Sequence, residues 1–322
     1  MKTIIKYLSS ICIGLCFTGI VYANTWPDKG VRIIVPFPAG GATDVPARIL
    51  AEKLSKIWRQ PVVVENKTGA GGAIGAAEAA RAPSDGYTLF FPSGSVMTVN
   101  QFIYPKLGYD PEKDFKPITI FVTGPLVVVV PQQSQFTNLE SLINFGQKNP
   151  SKLTFAHAGI GSQSHLANEL FLQQAKFEAT GIPYKGDPPA VVDLIGGQVT
   201  YSVISLGASL PHIKSGKLRA LGVTSKDEIP QLPGIKTVST IIPNYENMGW
   251  FGLVAPAGVP QAIINKIYEA TQVAISDPQL RSQLESAGFR IVGNRPDQMG
   301  DAMSSERKKW EVLVRERNLR QN

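Results

Sequence analysis

Short apolar runs alternate with amphipathic stretches along most of the chain. Val31-Arg32-Ile33-Ile34-Val35 has strand length and is stopped by Pro36 and Pro38. Residues 45–58 place Ile49, Leu50, Leu54 and Ile57 on one helical face, with Asp44 as the expected N-cap and Pro46 tolerated in the first turn. Residues 61–65 read as a second strand, 70–81 as a small-residue helix after a glycine-rich turn, and 88–91 as a third strand. This β-α-β-α-β order predicts a parallel sheet covered by helices on both faces.

The pattern restarts at Leu126-Val127-Val128-Val129-Val130, a continuous apolar run of the kind a fully buried strand carries. Helices are expected at 139–148, 164–174, 190–195 and 206–214, and strands at 153–156, 201–204 and 219–224. After a segment studded with Pro230, Pro233 and Pro243, residues 250–255 form one more strand. The tail is helical at 261–276, 278–287 and 296–317. Two α/β units are therefore expected, followed by a tail too thin to stand alone. Packing that tail on the first unit gives a discontinuous lobe of residues 24–124 plus 250–322, and a second lobe of residues 125–249. Two crossings, near 121–125 and 247–252, would then permit hinge closure around a cleft.

The N-terminus changes the picture of where the chain works. Lys2 and Lys6 precede an apolar stretch at 7–20, and Val21-Tyr22-Ala23 is a small-x-small cleavage site. Residues 1–23 thus read as a signal peptide cut after Ala23, and the compartment as the periplasm. An uncleaved anchor would need a stop-transfer pattern, whereas polar Asn24 and charged Asp28 and Lys29 follow at once. Both cysteines, Cys12 and Cys16, lie in that leader, so the mature chain has no disulfide and no cysteine nucleophile or metal ligand. Ile11 and Leu15 before them are too large for a lipoprotein cleavage site.

The 322 residues are 43% hydrophobic and 18% charged, a globular composition. The formal charge is +7, and loss of the two leader lysines leaves a mild positive excess. That excess suits an anionic partner without selecting one. An oxidising compartment disfavours enzymes that need free nicotinamide cofactors or nucleotides, and no cofactor is expected.

Function should lie in the strand-to-helix loops, because ligands of open α/β sheets bind at the carboxyl ends of strands. The first loop runs Phe37-Pro38-Ala39-Gly40-Gly41-Ala42-Thr43-Asp44. Its glycines admit close approach to the backbone, and the following helix offers unpaired N–H groups, an anion seat without a cationic side chain. An ordinary glycine-rich connection fits the same residues. The second loop, Gly159-Ile160-Gly161-Ser162-Gln163-Ser164-His165, repeats the arrangement in the second unit. Two seats facing each other across a cleft say more than either alone. Ser93 and Ser95, after the third strand, either add hydroxyls to the same cleft or cap a turn.

Other chemistry is weaker. Gly69-Ala70-Gly71-Gly72-Ala73-Ile74-Gly75 puts Ile74 where a dinucleotide fingerprint needs glycine, so helix packing is the expectation there. Ser162 or Ser164 with His165 and Asp193 could form a hydrolase triad only if they converge in space, and Gly161-Ser162-Gln163-Ser164 is not a nucleophile elbow. The other histidines, His157 and His212, read as packed or solvated, and no spacing suggests a metal. The C-terminal basic residues Arg307, Lys308, Lys309, Arg315, Arg317 and Arg320 interleave with Glu306, Glu311 and Glu316, a solvated helix face rather than a nucleic-acid surface.

Several ordered motifs resemble one family. The opening 31–41 stretch with Asp44, Ala47 and Arg48 is similar to the signature of the tripartite tricarboxylate transporter substrate-binding proteins, also called the Bug or TctC family. Val64-Glu65-Asn66-Lys67, Pro83-Ser84-Asp85-Gly86-Tyr87, Pro183-Tyr184-Lys185-Gly186, Asp193-Leu194-Ile195-Gly196-Gly197-Gln198 and Trp250-Phe251-Gly252-Leu253-Val254-Ala255-Pro256 fit as well. The resemblance covers essentially the whole mature chain. It implies a two-lobed periplasmic binding protein of the type II fold, each lobe a mainly parallel sheet flanked by helices around a central cleft. It also implies a monomer, without catalysis, that delivers a small organic carboxylate to membrane transporter subunits. By resemblance the carboxylate meets the backbone and hydroxyls of residues 37–44 and 159–165. Many relatives carry an acid where this chain has Ser205, which argues against a simple amino-acid ligand. The competing readings are a ligand-presenting sensor component for a signalling receptor and a secreted serine hydrolase.

Overall fold

A computed structural model describes residues 26–321. The leader expected at 1–23 lies outside the described residues. Strand β1 (Val31–Val35) pairs in parallel with β2 (Val62–Asn66) on one side and β3 (Thr88–Phe90) on the other. Helices α1 (Asp44–Trp58) and α2 (Ala73–Ala80) make the crossovers. Two short helices missed by the apolar pattern, α3 (Gly94–Thr98) and α4 (Asn100–Ile103), lead into β4 (Phe115–Pro131).

β4 is 17 residues long, roughly 55 Å at about 3.3 Å per residue. Only its second half was legible as a strand. Lys116, Pro117, Gly124 and Pro125 interrupt the apolar run in the first half, and the ladder absorbs Pro117 at a register shift. The second unit continues with α5 (Leu139–Lys148), β5 (Leu153–His157), α6 (Gln163–Ala175), β6 (Ala179–Pro183), α7 (Asp187–Ile195), β7 (Ser202–Ser205), α8 (Leu206–Lys214) and β8 (Leu218–Val223). The chain returns through β9 (Met248–Pro256) to α9 (Gln261–Ile275), α10 (Pro278–Ser286), β10 (Arg290–Ile291) and α11 (Pro296–Glu316).

The two crossing strands organise the molecule as two lobes. In the first, the order is β2-β1-β3-β9-β4-β10. From Phe115 to Pro125, β4 pairs antiparallel with β9. From Leu126 onward it exchanges that partner for β7 and β8, also antiparallel. β5 and β6 pair in parallel and join β7 through the Phe155–Tyr201 bridge. Most strands of each lobe therefore run one way. The exceptions are the strand that crosses against them, β9 in the first lobe and β4 in the second, and the short β10. A chain that leaves a lobe and returns must cross in opposite directions.

Helices cover both faces of each sheet. In the first lobe α1, α9 and α10 bury Leu50, Leu54, Ile264, Ile267 and Leu284 against β1 and β9. In the second, α5 and α6 bury Leu142, Leu166 and Phe171 on one face, and α7 and α8 bury Val191, Leu194 and Leu210 on the other. The tail corrects an expectation. α11 begins in the first lobe, where Met299 and Met303 are buried, but Trp310, Leu313 and Val314 pack with the second-lobe core. The helix is 21 residues, about 30 Å, long, and its buried residues run from Met299 to Val314. Arg317 then pairs with Glu169 and Glu178 at 2.9 and 3.0 Å. Among the described residues no helix is long and apolar enough to cross a membrane.

Candidate functional site

The first loop is held by Asp44. This residue is the first of α1 rather than its N-cap; Thr43 takes the cap position without a side-chain bond. The Asp44 carboxylate turns back, accepting from the Gly40 amide, Arg48 Nε and Asn66 Nδ2, each at 2.8 Å. Burial pushes its carboxyl up, but these donors outweigh it and hold the pKa below the usual range. Gly40 sits at φ +75°, where a side chain would be strained.

The amides expected to form the first seat are largely used inside the protein. Gly40 donates to Asp44, Gly41 donates to the Pro38 carbonyl at 3.3 Å, and the Ala42 amide favours the ionised Asp187 of the opposite lobe. Asp44 and Val45 both donate to the Gly41 carbonyl. The tight turn that glycine permits folds the loop onto its own donors, which composition could not reveal.

The second loop is different. Gly159 and Gly161 have φ of +114° and +78° and bend the chain from β5 into α6. Ser162 caps α6 by accepting from the His165 amide at 3.2 Å. Ser164 Oγ accepts from the Ala158 amide at 2.9 Å and lies 3.3 Å from Ser162 Oγ. The amides of Gln163 and Ser164, first in α6, come before the helix's own hydrogen-bond ladder begins. Gln163 is anchored through Nε2 to Asn247 Oδ1 at 2.8 Å, tying α6 to the returning crossing.

Between the loops lies a cavity with about 480 Å³ of space unfilled by atoms, part of it open to solvent. Of the expected site residues, Phe37, Gly41, Ala42, Thr43 and Ser93 line it from the first lobe. Ser162, Gln163, Ser164 and Ser205 line it from the second. Ala39, Gly40, Asp44, Ser95, Gly159, Gly161 and His165 are not among its lining residues. Ser95 supports Ser93, their hydroxyls 3.1 Å apart, and Asp44 braces the first loop from behind. Gly161 donates to His165 Nδ1 at 3.2 Å, so that ring braces the second loop.

Sequence reasoning missed Gly124, Leu126, Gly249 and Phe251, which form the floor from the crossing strands, and Asp187. Gly124 and Gly249 are register partners, so no side chain fills the floor at that point. Asp187 opens α7 after β6, a third strand-to-helix turn of the second lobe. Recognising the strand at 179–183 would have found it. Among the lining residues Asp187 is the only ionisable one, and none is lysine or arginine. Burial pushes its carboxyl up to about 6, against the pull of the Ala42 amide.

The hydrolase grouping does not assemble. His165 Nδ1 is occupied by the Gly161 amide, and Asp193 accepts from the Tyr184 hydroxyl at 2.8 Å. Burial lowers His165 to about 3 and His157 to about 4, which keeps both neutral near pH 7. Among the described residues no three His, Cys, Asp or Glu gather as a metal-binding set.

Comparison with known proteins agrees with this architecture. Residues 46–319 match the family model described as the tripartite tricarboxylate transporter family receptor, TctC. Protein BugT of Bordetella pertussis is 36% identical over 316 residues, covering 97% of each chain. Rpa4515 of R. palustris, solved with adipate, is 31% identical with a TM-score of 0.88, covering 91% of this chain and 98% of that one. MatC from Rhodopseudomonas palustris, solved with bound malate, is 30% identical with a TM-score of 0.85, covering 90% of this chain and all of that one. With its two lobes, its crossing strands and this match along nearly its whole length, the chain belongs to the tripartite tricarboxylate transporter receptor family.

Proposed function

We propose that the protein is a periplasmic solute-binding protein that captures a small organic carboxylate between its lobes and hands it to a tripartite membrane transporter. The observation that carries this reading is the cavity itself: the opening turn of α6 and the hydroxyls of Ser93, Ser162, Ser164 and Ser205 converge on it without a lysine or arginine. A helix N-terminus presents amide donors and a partial positive charge, which suit a carboxylate. Enclosure between lobes lowers the local dielectric, so each charge-assisted bond counts for more than in water. The adipate and malate held by the two structural neighbours support that ligand class.

The lobes proposed are residues 24–124 with most of 250–322, and residues 125–249, with α11 reaching across both. Closure would turn on the Gly124–Pro125 and Met248–Gly249 crossings, and the closed form would be the one a transporter recognises. We take the working form to be a monomer, exported by a leader cut after Ala23. Calorimetry of the mature protein against mono-, di- and tricarboxylates tests the reading. One of them should bind at about micromolar strength, roughly −8 kcal/mol. Failure of all of them to bind or to raise the melting temperature would refute it.

A further inference from the structure

The lining of an anion-binding cleft holds one ionisable side chain, and that side chain is acidic. Asp187 stands at the start of α7 on the second lobe, where the Ala42 amide of the first lobe favours its ionised form. Its position is fixed by close packing of the two loops. A Cβ on Gly186 would come within 2.5 Å of Pro38 Cδ, and one on Gly41 would come within 3.8 Å of Pro188 Cδ. Gly186 has φ +105°, so a larger residue there would be strained as well as crowded. Ser205, uncharged, lines the same cavity as Asp187. The acid of the cavity thus stands at the turn that opens α7.

An ionised carboxylate only accepts hydrogen bonds. A ligand reaching this wall therefore meets the acceptor oxygens of Asp187, the one ionisable side chain in the lining. A second bare carboxylate placed there would face a like charge in a poorly solvated cleft. A hydroxyl or ammonium group would instead donate to Asp187 and satisfy it.

We propose that Asp187 is the specificity-determining residue of the cleft and selects a carboxylate ligand that carries a hydrogen-bond donor, hydroxyl or ammonium, on the portion facing α7. This rests on the carboxylate-binding reading above and deepens it. A donor on the ligand satisfies the Asp187 carboxylate, while the ligand's carboxylate takes the α6 end of the cavity.

The test is calorimetry at pH 8 with succinate, malate and aspartate, which share a four-carbon dicarboxylate frame and differ by no donor, a hydroxyl and an ammonium. The wild-type protein should bind malate or aspartate at least tenfold tighter than succinate, and which of the two leads identifies the donor. Asp187→Asn should bring succinate within threefold of that ligand, chiefly by strengthening succinate. Asp187→Ser, which removes the charge with a smaller polar side chain, should do the same and guards against a folding defect in one variant. Succinate binding to wild type within threefold of both others overturns the inference, as does a preference that survives in both variants. Absence of binding by all three to wild type and variants alike overturns the inference, and its premise falls with it only if the wider panel of mono-, di- and tricarboxylates also fails, whereas binding that ignores residue 187 overturns the inference alone.

Discussion

The rings of His157 and His165 lie 4.5 Å apart, tilted by 38°, behind the loop that opens α6. Both are buried, and His165 accepts the Gly161 amide at Nδ1, a bond only the unprotonated nitrogen can make. Burial is the leading cause of both lowered pKa values, and the neighbouring ring adds to it at His165. A folded-state pKa below the unfolded value gives stability that is complete above about pH 6.5 and is lost as the pH falls.

The first prediction follows from that sign. The stability difference between wild type and His165→Asn should shrink by roughly 2 kcal/mol between pH 6.5 and 5, at about 1.4 kcal/mol per pH unit. Urea denaturation at the two pH values measures it. Asp187 titrates in the opposite sense, its raised pKa removing stability as pH climbs toward and past about 6. The comparison of variants at each pH separates the two.

Asp44 holds the first loop through three charge-assisted bonds while itself buried. Asp44→Ala should cost about 2–4 kcal/mol in chemical denaturation, since bonds to a charged group contribute roughly 1.5–3 kcal/mol each and partners re-form in part. It should also weaken carboxylate binding, because Gly40 loses the acceptor that orders its turn.

Gly249 lies opposite Gly124 on the cavity floor. A Cβ there would meet Gln163 Cγ at 3.4 Å and the Gly124 carbonyl at 3.7 Å, ordinary contact distances. Gly249→Ala should leave the melting temperature nearly unchanged yet lower ligand affinity about tenfold, about 1.4 kcal/mol, by shrinking the space above the floor. A large loss of stability would show that the floor is not the constraint.

Arg317 closes the far end of α11 onto the second lobe. It pairs with Glu169, whose carboxyl burial pushes up and whose charge Arg317 stabilises. Arg317→Ala should cost about 3 kcal/mol by leaving Glu169 buried without its partner. Differential scanning calorimetry at pH 8, well above the usual carboxylate range, gives the clearest reading.

The sequence made some of this molecule legible and hid the rest for identifiable reasons. The opening β-α-β-α-β unit was plain because Val31–Val35 and α1 carry strong, distinct periodicities. Ser162, Gln163 and Ser164, which line the cavity, stand out because a serine-capped helix after a glycine turn has a local signature. The strand Ala179–Pro183 left no such trace: Thr180, Gly181 and Pro183 break any apolar run, and the turn bearing Asp187 went unseen with it. The 17-residue β4 was half hidden because its character changes where its partners change. The first loop is legible only in part. Its glycines were visible, but whether their amides face a ligand or an internal acceptor depends on Asp44 and Asp187, one near in sequence and one far. Local pattern predicts elements well and the destination of a hydrogen bond poorly.

A crystal structure of the mature protein with whichever carboxylate binds in calorimetry tests the central claim most directly. A carboxylate oxygen should lie within hydrogen-bonding distance of the Gln163 and Ser164 amides, enclosed between the two lobes. A ligand found outside that cavity, or within it with its carboxylate turned away from the start of α6, would contradict the account.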